Sequence, residues 1–146
     1  MRYISNIEKY VKRSLLVLAV GASHFALADP ASNALPQNGV IAQGNASIQA
    51  SGSASAPILN VNQTSQRAVV NWQSFDVGSA STVNFNQPNA QASTLNRVTG
   101  GGSASQIFGK INAPGEVVLL NSSGVYIGKN ASLDVGSIAA TTCLLY

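Results

Sequence analysis

Three carboxylates, one cysteine and four aromatic side chains are the residues here whose types carry chemistry. Asp76, Glu116 and Asp134 are the acidic residues of the central and C-terminal parts of the chain. Paired carboxylates a few ångströms apart cleave glycosidic bonds, one acting as acid and the other as base or nucleophile. These three are far apart in sequence, and no two lie within a few residues of each other. Asp76 and Asp134 each precede Val-Gly, which suits a strand end, so the sequence points to turn roles and to no enzyme. Cys143 is the one cysteine, so no disulfide forms within the chain. The one histidine, His24, lies in the N-terminal segment, so the rest of the chain offers no imidazole to activate that thiol. No His/Cys/Asp/Glu cluster has the spacing of a metal site, and no cofactor motif is present. Trp72, Phe75, Phe85 and Phe108 admit two readings. As an exposed set they would form a sugar-stacking face; as members of alternating strands they would be core.

The elements that must position these residues are short. Leu95–Gly128 reads LNRVTGGGSASQIFGKINAPGEVVLLNSSGVYIG. Gln106–Phe108, Val117–Leu120 and Val125–Ile127 are apolar runs. Thr99–Ser105, Asn112–Gly115 and Asn121–Gly124 punctuate them with residues that accept positive φ or bond their own backbone. Runs this short make strands, not helices. None buries enough surface alone, so the strands must stack on neighbours. Upstream, Arg67–Trp72 and Thr82–Asn86 alternate as strands, as does Ile58–Gln63 in approximate register. Val40–Gln49 predicts a hairpin around Gly44-Asn45, and Ala50–Pro57 reads as small and flexible. Leu133–Val135 and Ile138 close the pattern. From Val117 onward the strands recur about every eight residues, and three such strands make one coil of a parallel β-helix. A β-sandwich gives similar spacing.

The N-terminus has a different character. MRYISNIEKYVKR is basic, Leu15–Ala22 is an apolar run too short to span a bilayer, and Ala26-Leu27-Ala28 precedes Asp29. Residues 1–28 read as a secretory signal peptide cleaved between Ala28 and Asp29. Four of the eight basic residues lie in this segment. Beyond it Arg67, Arg97, Lys110 and Lys129 balance Asp29, Asp76, Glu116 and Asp134, which argues against nucleic acid as a partner. No further apolar segment follows, so no transmembrane segment is expected in the mature chain.

VVNWQSFDVGSASTVNFNQP followed by LNRVTGGGSASQIFGKINAPGEVVLLNSSGVYIGKNASLDVGSIAATT resembles the N-terminal secretion domain of filamentous-haemagglutinin-like two-partner-secretion exoproteins, in the high-molecular-weight adhesin branch. The match covers about residues 39–142, after a lead-in at 29–38 and before an off-pattern tail at 143–146. Where the family carries Asn-Pro-Asn-Gly-Ile, this chain has Asn121-Ser122-Ser123-Gly124-Val125. The resemblance implies an all-β fold: a right-handed parallel β-helix with an N-terminal β cap, here incomplete at the C-terminus and so read as truncated. It implies export through the periplasm to the cell surface or medium. It implies recognition by an outer-membrane transporter of the Omp85 type through its POTRA domains, with folding nucleated by the domain. Asn96, Arg97, Asn121 and Gly124 are the residues on which transporter recognition or the fold would rest. A stand-alone module that binds host-cell glycans is the alternative. Four Asn-x-Ser/Thr sequons, at Asn45, Asn62, Asn121 and Asn130, are candidate glycosylation sites, though a chain this rich in Asn, Ser and Thr forms sequons by composition.

Overall fold

The computed structural model describes residues 28–143. The signal-peptide expectation, save for Ala28, and the residues after Cys143 lie outside that range. Every regular element among the described residues is a strand: β1 (Val40–Gln43), β2 (Ala46–Ser53), β3 (Ala56–Gln63), β4 (Arg67–Trp72), β5 (Thr82–Asn86), β6 (Ser93–Val98), β7 (Ser105–Ile107), β8 (Lys110–Leu120), β9 (Val125–Ile127) and β10 (Ser132–Thr141).

The strands wind as a solenoid of about four turns. From β3 onward, like strands of successive coils pair in parallel, β3 with β5, β5 with β8 and β8 with β10. Parallel ladders also join β4 to β6 and β6 to β8. Three faces result, as the three-strand coil predicts. Face A carries β3, β5 and the first halves of β8 and β10. Face B carries β4, β6 and the second halves of β8 and β10. Face C is the small β7–β9 sheet with the Val77–Ile107 bridge.

Alternation decides what lies inside. In β4 the inward residues are Ala68, Val70 and Trp72; in β5 they are Val83 and Phe85. Val70, Trp72, Val83 and Phe85 join Leu59, Val61, Phe75, Val77, Ile107, Ile111, Val117 and Leu119 in one continuous core. Trp72 and Phe75 meet edge to face at 5.6 Å. Each fully buried large side chain is worth roughly 1.5–3 kcal/mol, so the stack of interiors holds coil on coil.

The N-terminal end is closed by antiparallel strands. β1 pairs with β4 and β2 with β3, so β1 and β2 run backwards over the first coil. This corrects the hairpin predicted at Gly44-Asn45. The alternation there is real, but the two strands diverge to opposite ends of the sheet. Gly44, at φ 80°, is clamped on the corner below, where a Cβ would stand 2.3 Å from the Arg67 carbonyl oxygen. The Asn45 N–H donates to Ser65 Oγ at 3.0 Å. The hairpin lies instead between β2 and β3, with Ser53 paired to Ala56, so the stretch read as flexible is ordered ladder. A second correction concerns Asn112–Gly115, read as a turn. It lies inside the 11-residue β8, which changes partner there from β5 to β6. Gly115 makes the switch possible, because a Cβ would meet the Ala92 carbonyl oxygen at 2.2 Å.

Candidate recognition surface

Asn96 is an inward residue of β6 and fully buried. Its Oδ1 accepts the Trp72 Nε1–H at 3.0 Å, and its Nδ2 faces the carbonyl oxygens of Thr94 and Val118. A buried indole N–H without an acceptor costs roughly 1–3 kcal/mol, so Asn96 is what lets a tryptophan lie across the core. Asn121 is 2% exposed. Its Nδ2 donates to the Ser103 carbonyl and to Ser105 Oγ, both at 3.0 Å, while its Oδ1 accepts the Ser123 N–H. The turn closes with the Gly124 N–H on the Asn121 carbonyl at 2.9 Å. Gly124 sits at φ 106°, which only glycine adopts without strain. Ser122 and Ser123 therefore occupy a turn whose ends are fixed by Asn121 and Gly124.

Arg97 differs from these three. It is an outward residue of β6, half-buried, with its Nε donating to Asn71 Oδ1 at 2.9 Å. It lines a groove of about 370 Å³ with Thr99, Leu120 and Ser122. Of the four residues singled out in the sequence, Arg97 alone presents a charged side chain at the surface.

Face A is built differently. Its outward positions form an asparagine ladder. Asn112 donates to Asn84 at 2.9 Å, Asn84 to Asn60 at 3.0 Å, and Asn60 to Ser51 Oγ at 3.0 Å. A second rung joins Asn86 to Asn62 at 2.7 Å. The corner between faces A and B holds a buried network that sequence reasoning missed. Thr94 Oγ1 donates to Gln63 Oε1 at 2.6 Å and accepts from Gln87 Nε2 at 2.8 Å, and Gln87 Oε1 accepts the Gly115 N–H. Its partners are 7 to 31 residues apart in the chain, so no local pattern announces it.

The three carboxylates lie in three different places. Asp76 follows β4 and accepts the Gln106 N–H at 2.8 Å, pinning β7 to the coil before it. Glu116 faces outward on β8, opposite Ser93 and Ser137. Asp134 faces outward on β10, opposite Asn112. No group of three or more His, Cys, Asp or Glu side chains converges among the described residues. Trp72, Phe75 and Phe85 are core, each 1% exposed. Phe108 is not: β7 turns Ser105 and Ile107 inward, so Phe108 points out and packs on Tyr126 at 5.7 Å. Tyr126, which the sequence reading did not single out, is 52% exposed. Of the sequons, Asn121 is buried with its amide engaged, whereas Asn45 and Asn130 are exposed. No helix among the described residues is long and apolar enough to cross a membrane.

Comparison with known proteins places this arrangement. The structure of the HMW1 secretion domain from Haemophilus influenzae superposes with a TM-score of 0.68 at 28% identity, over 76% of this chain and 28% of that one. The heme/hemopexin-binding protein of Haemophilus influenzae is 37% identical over 131 residues, 88% of this chain and 13% of the relative. A second heme/hemopexin-binding protein from Haemophilus influenzae is 45% identical over 84 residues, covering 58% of this chain and 9% of its own length. This chain thus spans a small part of the curated relatives it matches. A family model described as the TPS secretion domain matches residues 32–144, taking in the cap and every coil, so the chain belongs to the TPS secretion domain family of two-partner-secretion exoproteins.

Proposed function

We propose that this domain addresses its exoprotein to a partner outer-membrane transporter and nucleates the folding of the coils that follow. The partner is of the Omp85 type and meets the chain in the periplasm through its POTRA domains. The destination is the medium or the cell surface. The observation that carries this reading is the family match across residues 32–144. The capped N-terminal end supports the folding role: β1 and β2 close it by antiparallel pairing with β4 and β3. A capped first coil is a template on which each later coil gains a neighbour, the order in which a repeat fold propagates.

The test is release into the medium with and without the transporter. Co-expression of the full chain with its partner two-partner-secretion transporter is expected to move it from periplasm to medium. Equal amounts in the medium of both strains would contradict the proposal.

One observation favours a second reading, a module that binds host-cell glycans. Phe108 and Tyr126 form a surface aromatic pair, and pyranose rings stack on such pairs. Binding of the purified chain to a glycan array, lost in Tyr126→Ala, would support it.

A further inference from the structure

Outward residues of a solenoid sheet that meets only water are polar, as on face A. Face B departs from this. Its outward residues are Arg67, Val69 and Asn71 on β4, Ser93, Leu95 and Arg97 on β6, and Glu116, Val118 and Leu120 on β8. The parallel register sets Val69 opposite Leu95, and Leu95 opposite Val118. Ala139 continues the column on β10. Parallel strands lie roughly 4.8 Å apart, so this is an unbroken aliphatic column running across the strands. On the cap, Gln43 stands opposite Val69, and Val40, 63% exposed, lies in the next outward row opposite Asn71.

Cations flank the column. Arg67 stands on one side of it and Arg97 on the other. The Nε of Arg97 donates to Asn71, which ties the guanidinium down at the groove it lines with Thr99 and Ser122. A planar guanidinium held this way is preorganised for a carboxylate taken by two parallel hydrogen bonds. The acidic residue of this face, Glu116, lies opposite Ser93, at the far end of β6 from Arg97.

We infer that face B is the surface on which the transporter docks, and that it receives an apolar segment of that partner carrying a carboxylate that enters the groove at Arg97. This rests on the reading that a transporter recognises the domain; it adds which surface is recognised and by what chemistry. The aliphatic column supplies burial, and Arg97 sets the position of the partner along it. Charge complementarity selects an acidic partner segment, because two arginines stand against one glutamate.

The experiment compares four full-length chains co-expressed with the same partner transporter: wild type, Arg97→Glu, Val118→Lys and Lys110→Glu. Lys110 is exposed on face A, so its reversal applies the same change of charge away from the docking face. Melting temperatures of the purified chains check that each variant folds. Arg97→Glu and Val118→Lys are expected to lower release about tenfold or more, the scale of one lost charge-assisted contact, while Lys110→Glu is released as wild type. If Val118→Lys melts early, Arg67→Glu, at an exposed flank, takes its place with a smaller expected loss. Normal release of the face B variants alongside transporter-dependent release of wild type overturns this inference and leaves the proposed function standing. Equal losses in Lys110→Glu and Arg97→Glu also overturn it, because net charge then explains the effect. A wild-type dimer that Arg97→Glu dissociates assigns the face to a second copy and overturns it as well. Absence of transporter-dependent release in wild type overturns the proposed function and this inference with it.

Discussion

Faces A and B belong to the same coils and share β8 and β10, yet their outer surfaces differ in chemistry. β8 and β10 contribute a half to each. On face A, outward side chains bond to one another from coil to coil through an asparagine ladder. Their hydrogen-bonding capacity is directed along the solenoid, and the surface is self-satisfied. On face B an aliphatic column runs between two arginines, and one of these, Arg97, is tied through its Nε to Asn71. Interior packing is common to both faces and cannot account for the difference. Face A is built to hold coils together; face B is built to meet something else.

The largest expected effect is one that removes both faces together. Trp72→Ala opens a cavity beside Phe75 and orphans the Asn96 amide, and it is expected to cost about 3–5 kcal/mol in urea unfolding. A loss below about 1 kcal/mol would mean that the core does not hold the coils in register. The partner switch in β8 comes next. Gly115→Val would drive a side chain into the Ala92 carbonyl, with an expected loss of about 1–3 kcal/mol, read as a lower thermal midpoint. Both faces change here too, because β8 joins them.

A smaller effect separates the faces. Asn84→Ala breaks two ladder bonds on face A and is expected to cost about 1 kcal/mol while leaving release through the transporter at the wild-type level. A strong loss of release with intact melting would place recognition on face A and reverse the comparison. Smallest of all is Lys110→Glu, an exposed charge with an expected change in stability within about 0.5 kcal/mol by the same unfolding assay.

The sequence made much of this legible. Period-two alternation favoured the core for Trp72 and Phe85, which the structure buries, and the repeat of about eight residues anticipated three strands to a coil. The Asn121–Gly124 turn followed from residue types that accept positive φ. Other features were closed to local pattern. The stretch Leu95-Asn96-Arg97-Val98 alternates equally well with either set inside, and only the coil-to-coil register shows that Asn96 faces Trp72 while Leu95 and Arg97 face out. Phe108 sits in an alternating run, which favoured the core, but it follows an inward Ile107 and so points outward onto Tyr126. The Gly44 corner looked like a hairpin because its two strands alternate correctly; what separates them is a clamp to Ser65 and Arg67 two strands later. The Gln63–Thr94–Gln87 network, with the Gly115 N–H, joins residues of successive coils and exists only once the solenoid has closed.

On the inference above, the transporter docks on the arginine-bearing face with the aliphatic column. Hydroxyl-radical footprinting of the purified full chain, alone and with the detergent-solubilised transporter, tests it most directly. The account predicts protection of Leu95, Val118 and Leu120 on face B, with Lys110 on face A modified equally in both samples. Protection of face A with Leu95 and Val118 unchanged would contradict it.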